Sequence, residues 1–172
     1  MPAPHEVTRH TLSVLVEDID GITSRVTGLF SRRGFNLVSI VSARTETPGV
    51  ARFTIVVDAT ERDTEQVTKQ LNKIIPVLKV VELAPDATVA RGLMLVKVAA
   101  DATTLPQVAD AVNIFRARVV DVARESVVVE ATGSPGKLRA LLDVLEPFGI
   151  KELVQSGHVA LARGPKTMAP NK

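Results

Sequence analysis

Cysteine, tryptophan and tyrosine are absent from this 172-residue sequence, and phenylalanine occurs only five times. Without cysteine the chain can form no disulfide and use no thiolate chemistry, which fits a reducing compartment such as the cytoplasm. A core must therefore be aliphatic, and a hydrophobic fraction of 45% is enough for one. No apolar run approaches the ~18 residues that span a membrane. Residues 1–8 are polar and predict a short disordered arm without a secretory signal.

The charge is small and scattered. The net charge is +2, and no basic stripe of the kind that binds nucleic acid is present. An RNA-binding sheet would need aromatic residues on its central strands, and only Phe53 comes close. His5, His10 and His158 do not have the spacing of a metal motif. We therefore expect no metal site, no catalytic residue, no membrane and no nucleic-acid partner.

The first half of the chain has the pattern of a compact α+β unit at residues 9–84. Strands are predicted at 10–17, 35–46, 50–58 and 77–83. One helix lies between the predicted N-cap Asp20 and Gly34, and a second spans about 61–75. The order β-α-β-β-α-β is the ferredoxin-like arrangement.

The same order repeats after a linker at 85–92. In the second unit, at 93–164, strands are predicted at 93–100, 117–123, 126–132 and 150–162. Helices are predicted at 104–116 and from Pro135, with Ser134 as N-cap. Residues 165–172 form a tail. The sequence thus predicts an α+β protein with two ferredoxin-like βαββαβ domains in tandem.

The turn before the first helix has the chemistry of an anion site. A helix N-terminus presents free N–H groups and partial positive charge, and Gly21 leaves room for an anion to approach them. The carboxylate of an amino acid would suit this turn. A helix cap in a tight turn explains the same residues, and Asp18 either meets an ammonium group or is solvated.

Asn36, which opens the second strand, is another candidate. Its amide could finish the turn at Gly34, or it could hold the carboxylate and ammonium of an amino acid. In a βαββαβ unit, the first turn and the start of the second strand lie at opposite ends of the first helix. Gly21 and Asn36 can therefore meet only across two copies of the chain, which predicts a site shared between two subunits.

Several stretches together resemble one known family. They are HTLSVLVEDIDG at 10–21, RVTGLFSRRGFN at 25–36, MLVK at 94–97 and GKL at 136–138. Over residues 9–168, the chain resembles the small, regulatory subunit of acetolactate synthase (acetohydroxyacid synthase). The resemblance implies an N-terminal ACT domain at 9–84, which binds an effector, and an ACT-like domain at 93–164.

The resemblance also implies what the chain does. Members of this family have no catalytic site and no cofactor of their own. They form homodimers through their ACT domains and bind a large catalytic subunit expected to carry thiamine diphosphate, Mg and FAD. That subunit condenses two pyruvates, or pyruvate and 2-oxobutyrate, in branched-chain amino-acid synthesis. The small subunit raises its activity and confers feedback inhibition by valine, with leucine and isoleucine as further candidate effectors.

The family's effector residues carry over onto this sequence by position. They fall on Asp18, Gly21, Ile22, Thr23, Asn36, Leu37 and Val38, with backbone N–H groups supplied at Ile22 and Thr23. Two positions depart from the family's usual pattern. Asp20 adds a negative charge beside the expected carboxylate, and Thr23 thins the apolar wall.

Two questions stay open from the sequence. A free-standing ACT-domain sensor of amino acids, without a catalytic partner, is the alternative function, and failure to co-purify with a large subunit would favour it. Arg32 and Arg33 are candidates for the surface that touches the large subunit, although the sequence favours a solvated helix end for both.

Overall fold

The computed structural model describes residues 6–169, so residues 1–5 of the predicted arm and 170–172 of the predicted tail lie outside it. The first elements in chain order are β1 (Thr8–Glu17), α1 (Ile22–Arg33), β2 (Asn36–Arg44), β3 (Val50–Ala59), α2 (Glu61–Leu71) and β4 (Val77–Glu82). A 3₁₀ turn (Pro85–Ala87) follows. The later elements are β5 (Thr88–Ala99), α3 (Leu105–Ile114), β6 (Arg118–Val122), β7 (Ser126–Gly133), α4 (Pro135–Leu145), a 3₁₀ turn (Glu146–Phe148), β8 (Ile150–Gln155) and β9 (Val159–Ala162).

The first sheet is antiparallel and has the strand order β2-β3-β1-β4. Alternate residues of β1, Leu12, Val14 and Val16, are fully buried and pack with Val26 and Phe30 of α1. The period of two in the strand and the helical spacing in α1 therefore bury matching faces. The helices α1 and α2 cover one face of the sheet, and β2 and β4 are its edges.

The ends of α1 show one confirmed and one wrong prediction. Gly34 ends the helix in the left-handed conformation, with φ 68°, and its N–H donates to the Ser31 carbonyl. Asp20 is not the N-cap. Gly21 holds that position with φ 77°, and no side chain caps the helix. The positive φ favours glycine, so the turn is built around Gly21 and the carboxylate of Asp20 is not used.

The second sheet repeats this topology in the order β6-β7-β5-β8, and β9 also pairs with β5. Its core is aliphatic, with Val96, Val129, Leu138 and Leu141 fully buried. Ser134 caps α4 as predicted, since its Oγ accepts a hydrogen bond from the Lys137 N–H at 3.3 Å. The two tandem βαββαβ units confirm the predicted fold class.

Two segments differ from the prediction. Residues 85–92, expected to be a linker, form a 3₁₀ turn and the beginning of β5, which pairs with β9. The expected strand at 150–162 is interrupted at 156–158, where the Ser156 N–H donates to the Leu93 carbonyl. By their contacts, the described residues divide into 6–89 with 160–169, and Ala90–Val159. No helix in the described part of the chain is long and apolar enough to cross a membrane.

The two units repeat each other down to single hydrogen bonds. The Phe35 N–H donates to the Phe30 carbonyl after α1, and the Ala117 N–H donates to the Val112 carbonyl after α3. Gly34 thus corresponds to Arg116, which has φ 51° and is the only described non-glycine residue with positive φ. An arginine in this conformation strains the backbone, because its Cβ approaches the backbone carbonyl.

We expect Arg116→Gly to increase the free energy of unfolding by up to about 1 kcal/mol, because it relieves the strain of a left-handed L-residue. The measurement is urea unfolding followed by circular dichroism. The exposed loop residue Arg124 has no positive φ, so Arg124→Gly should be neutral or destabilising. Equal effects of the two substitutions would contradict the explanation.

Candidate functional site

The N-terminus of α1 presents hydrogen-bond donors that the protein itself does not use. The N–H groups of Gly21 and Thr23 have no acceptor among residues 6–169, and the Ile22 N–H makes a 3.3 Å hydrogen bond to the Ile19 carbonyl. A Cβ built on Gly21 would meet nothing within 4 Å. An anion can therefore reach this turn from outside.

Among the predicted turn residues, Ile22 uses its side chain for packing. That side chain is 4% exposed and belongs to the hydrophobic core. Only its backbone lies at the turn, and the bond to Ile19 already occupies its N–H. Thr23 is exposed, and its free N–H makes it the better donor of the two.

Asp18 lies beside the hairpin that joins β2 to β3. Its N–H donates to the Gly49 carbonyl at 2.8 Å. Together with Arg44, Glu46 and the rest of the hairpin turn, Asp18 lines a cavity of about 410 Å³. This cavity brings a cation and carboxylates next to the helix N-terminus, a combination that suits a zwitterion. The sequence reasoning missed Arg44, although the register of an antiparallel hairpin would place it there.

Asn36 lies at the opposite end of the sheet. It pairs with Asp58 on β3, which in turn pairs with Arg9 on β1. Arg9 donates two hydrogen bonds to the Asp58 carboxylate, at 2.9 and 3.0 Å, and this contact lowers the pKa of Asp58. The exposed amide of Asn36 makes no hydrogen bond within the described part of the chain. Because Asn36 alternates with Leu37, which packs against the core, its side chain begins on the face without helices.

A β-bulge marks the neighbouring residue Val38. The register of β2 against β3 shifts between Leu37 and Ser39, and Val38 is 42% exposed. Bulges re-aim side chains and are frequent beside functional sites. The bulge therefore presents Val38 at an edge strand, whereas Leu37 contributes to the core.

Within one chain, the structure does not bring the predicted residues together. Asp18, Gly21, Ile22 and Thr23 follow the end of β1, where Glu17 pairs with Val50, whereas Asn36 lies at the other end of β3, beside Asp58. At ~3.4 Å a residue, the eight steps from Val50 to Asp58 span roughly 27 Å. No amino acid reaches across that distance, so a site that uses both groups of residues would need a second chain.

The corresponding turn of the second unit is arranged differently. Ala100 and Asp18 are equivalent, since each N–H donates to the loop between the next two strands, at Glu125 and Gly49. Here, however, Asp101 Oδ1 accepts hydrogen bonds from the N–H groups of Thr103 and Thr104 at 2.8 and 2.9 Å, and from both hydroxyls. These bonds lower the pKa of Asp101 to about 2. The protein's own carboxylate thus occupies the anion position before α3.

No group of three or more histidine, cysteine, aspartate or glutamate side chains in the described part of the chain could hold a metal ion. The buried histidine, His10, is a structural residue: its Nδ1 lies 2.6 Å from Glu82 Oε1 and its Nε2 lies 2.9 Å from Thr8 Oγ1. Both ring nitrogens are engaged at one end of the sheet, away from the turn at Gly21.

Comparisons with known proteins agree on one family. The family model described as "AHAS small subunit-like ACT domain" matches residues 12–79, and the model described as "Small subunit of acetolactate synthase" matches residues 91–164. The acetolactate synthase small subunit of Mycolicibacterium smegmatis is 56% identical over 163 residues, covering 95% of this chain and 96% of the relative.

More distant relatives cover the chain equally well. The probable acetolactate synthase small subunit of Methanothermobacter thermautotrophicus is 48% identical, with 95% of this chain and 98% of the relative covered. The crystal structure of the acetolactate synthase small subunit from Thermotoga maritima is 35% identical. It matches with a TM-score of 0.83 over 92% of this chain and 99% of that chain.

We expect Asp101→Ala to lower the melting temperature by a few degrees, because it removes the acceptor of four hydrogen bonds before α3. The folded-state pKa of Asp101, about 2, lies below the ordinary value of an aspartate side chain. Its contribution to stability is therefore complete above about pH 4 and is lost as the pH falls through about 2. In thermal unfolding, the difference in melting temperature between wild type and variant should shrink as the pH falls over this range. A difference that grows on acidification would contradict this explanation.

Proposed function

The chain belongs to the family of acetolactate synthase small subunits, and we propose that it binds the catalytic large subunit, raises its activity and makes it sensitive to inhibition by valine. The small-subunit name of its relatives and the matched ACT-domain model support a regulatory role. The thiamine diphosphate, Mg and FAD of the reaction are then carried by the large subunit. We assign effector binding to the domain at 9–84 and place the second domain at 93–164.

The observation that carries the proposal is the contrast between the two helix N-termini. Before α3, the carboxylate of Asp101 accepts hydrogen bonds from the backbone N–H groups of Thr103 and Thr104. Before α1, the N–H groups of Gly21 and Thr23 have no such acceptor among the described residues. Both turns precede the first helix of their unit, but the second holds an internal carboxylate, whereas the first, built on the left-handed Gly21, leaves its donors open to a carboxylate from solution. An α-amino acid supplies that group.

The edge strand β2 offers a way to complete the site from a second chain. It presents nine residues whose outer hydrogen-bonding groups face no other strand in the first sheet, and such edges readily pair with another chain. If two copies pair antiparallel about Ile40, Asn36 of the partner subunit falls opposite Arg44. Arg44 shares a cavity with Asp18, so this dimer brings the second chain's amide toward the Gly21 turn.

In this site, the effector carboxylate accepts hydrogen bonds from Gly21 and Thr23, with the Ile22 N–H available once it leaves Ile19. The ammonium group meets the side chain of Asn36 from the second chain or the carboxylate of Asp18. Each charge-assisted hydrogen bond contributes roughly 1.5–3 kcal/mol. Val38 and Leu37 offer apolar contacts to a branched side chain. A methylene more or less changes affinity only about 10–200-fold, so leucine and isoleucine compete with valine.

Inhibition needs a difference in affinity between two states of the complex. An effector that binds both states equally shifts neither. A site divided between two chains meets this requirement, because any change in how the chains pair moves Asn36 relative to Gly21. The bound amino acid then favours the arrangement of the two chains in which both its carboxylate and its ammonium group are held.

We expect Gly21→Asp to abolish inhibition by valine, because it places a carboxylate against that of the effector. The loss of one charged hydrogen bond alone lowers affinity about tenfold or more. The assay is acetolactate formation by a large subunit with and without the small subunit and valine, together with calorimetric titration of valine.

Gly164→Asp is the matched control, since Gly164 has a similar positive φ of 81° and open surroundings and lies outside the assigned site. It carries the same strain and charge and should keep inhibition. Full sensitivity of Gly21→Asp would exclude the assigned site. A wild-type chain that binds valine but never a large subunit would instead support the free-standing sensor.

We expect Ile40→Cys to form a covalent dimer on mild oxidation, because antiparallel pairing about residue 40 places the two thiols opposite each other. The wild-type chain has no cysteine, so non-reducing electrophoresis has no background. Val80→Cys, on the other edge strand β4, is the control and should stay monomeric in the gel. Cross-linking of Val80→Cys instead would move the interface to β4.

A further inference from the structure

Helix α1 carries positive charges that no acidic residue of the helix balances. Its twelve residues include Arg25, Arg32 and Arg33 and no acidic residue. None of these three side chains makes an ion pair or hydrogen bond with any residue between 6 and 169. The neighbouring helix α2 by contrast carries three acidic and two basic residues, and its Lys69 is paired to Glu65 at 2.6 Å. The cations of α1 are therefore available to an acidic partner.

Two of these arginines line a groove with an apolar floor. The groove has a volume of about 410 Å³ and is lined by Ser24, Arg25, Leu29, Arg32 and Ile74. Leu29 and Ile74 pack against the core and remain partly exposed. The adjoining Ile75 is 81% exposed. No acidic residue lines the groove. Its chemistry is that of an apolar strip flanked by cations.

The groove is separate from the proposed dimer edge, and it begins in the first turn of α1, directly after the effector turn. It lies between α1 and the residues that follow α2, and α2 packs beside β4, on the opposite side of the sheet from β2. Its lining shares no residue with the Gly21 turn or with the cavity at Asp18. A second copy seated on β2 therefore leaves this groove accessible.

We propose that this groove receives an acidic segment of the catalytic large subunit. Arg25 and Arg32 are seven residues apart on one helix, which places them about 10 Å apart along its axis. The segment that fits carries two carboxylates at that separation, with an apolar side chain between them that rests on Leu29 and Ile74. The inference depends on the proposed function only for the identity of the partner.

The test compares two double charge reversals that change the net charge equally. Arg25→Glu/Arg32→Glu alters the groove. Arg62→Glu/Arg124→Glu alters exposed positions on α2 and in the loop between β6 and β7 and is the control. Affinity for the purified large subunit is measured by biolayer interferometry at two salt concentrations, and valine binding to the small subunit alone is measured by calorimetry.

We expect the groove variant to lose at least about tenfold in affinity for the large subunit at ~0.1 M salt, and less at high salt, where charges are screened. The control should change by no more than about twofold. Valine affinity should be unchanged in the control, and Arg25→Lys/Arg32→Lys should keep most of the large-subunit binding because the charge remains.

Three results would overturn the inference. Two of them are equal affinity of the groove variant and wild type for the large subunit, and an equal loss of affinity in the control. Tighter binding of wild type to anionic vesicles or RNA than to the large subunit would assign the groove to those ligands and equally overturn it. If wild type binds no large subunit at all, the proposed function itself fails, and the two failures are thus distinguishable.

Discussion

The length of one helix constrains everything that this chain can bind. At ~1.5 Å a residue, the twelve residues of α1 span roughly 18 Å, and the turn at Gly21 and the amide of Asn36 lie at its two ends. A molecule the size of valine cannot bridge them. The proposed effector site therefore depends on how two chains pair, and this dependence would let a small ligand influence a large assembly.

The second constraint is that backbone donors at a helix N-terminus need an acceptor. The two units solve it in different ways with the same fold. In the second, Asp101 supplies the acceptor, and the turn becomes a rigid, internally bonded cap. In the first, the glycine at the N-cap has no side chain to supply one. A single acidic residue in the loop thus separates a structural unit from a unit suited to binding.

Much of this fold could be predicted from the sequence, because strands alternate with a period of two and helices with 3.6, and Gly34 ends α1 through its positive φ. The candidate residues at the turn followed from the same pattern. What failed depends on contacts distant in sequence. Val38 is exposed by a bulge, β5 begins early because it pairs with β9, and Arg44 reaches Asp18 through the hairpin register. Asp20 failed as a cap because Gly21 takes the N-cap position itself.

The internal carboxylate of Asp101 also limits the number of effector molecules that the chain is expected to bind. A chain with two similar domains could in principle hold two effector molecules, and its dimer four. Since Asp101 already fills the second turn, the proposed site offers one place for an effector carboxylate in each chain and two in the proposed symmetric dimer. We then expect saturation at one effector per chain, with any cooperativity arising between the two equivalent sites on either side of the twofold axis rather than between unlike domains of one chain.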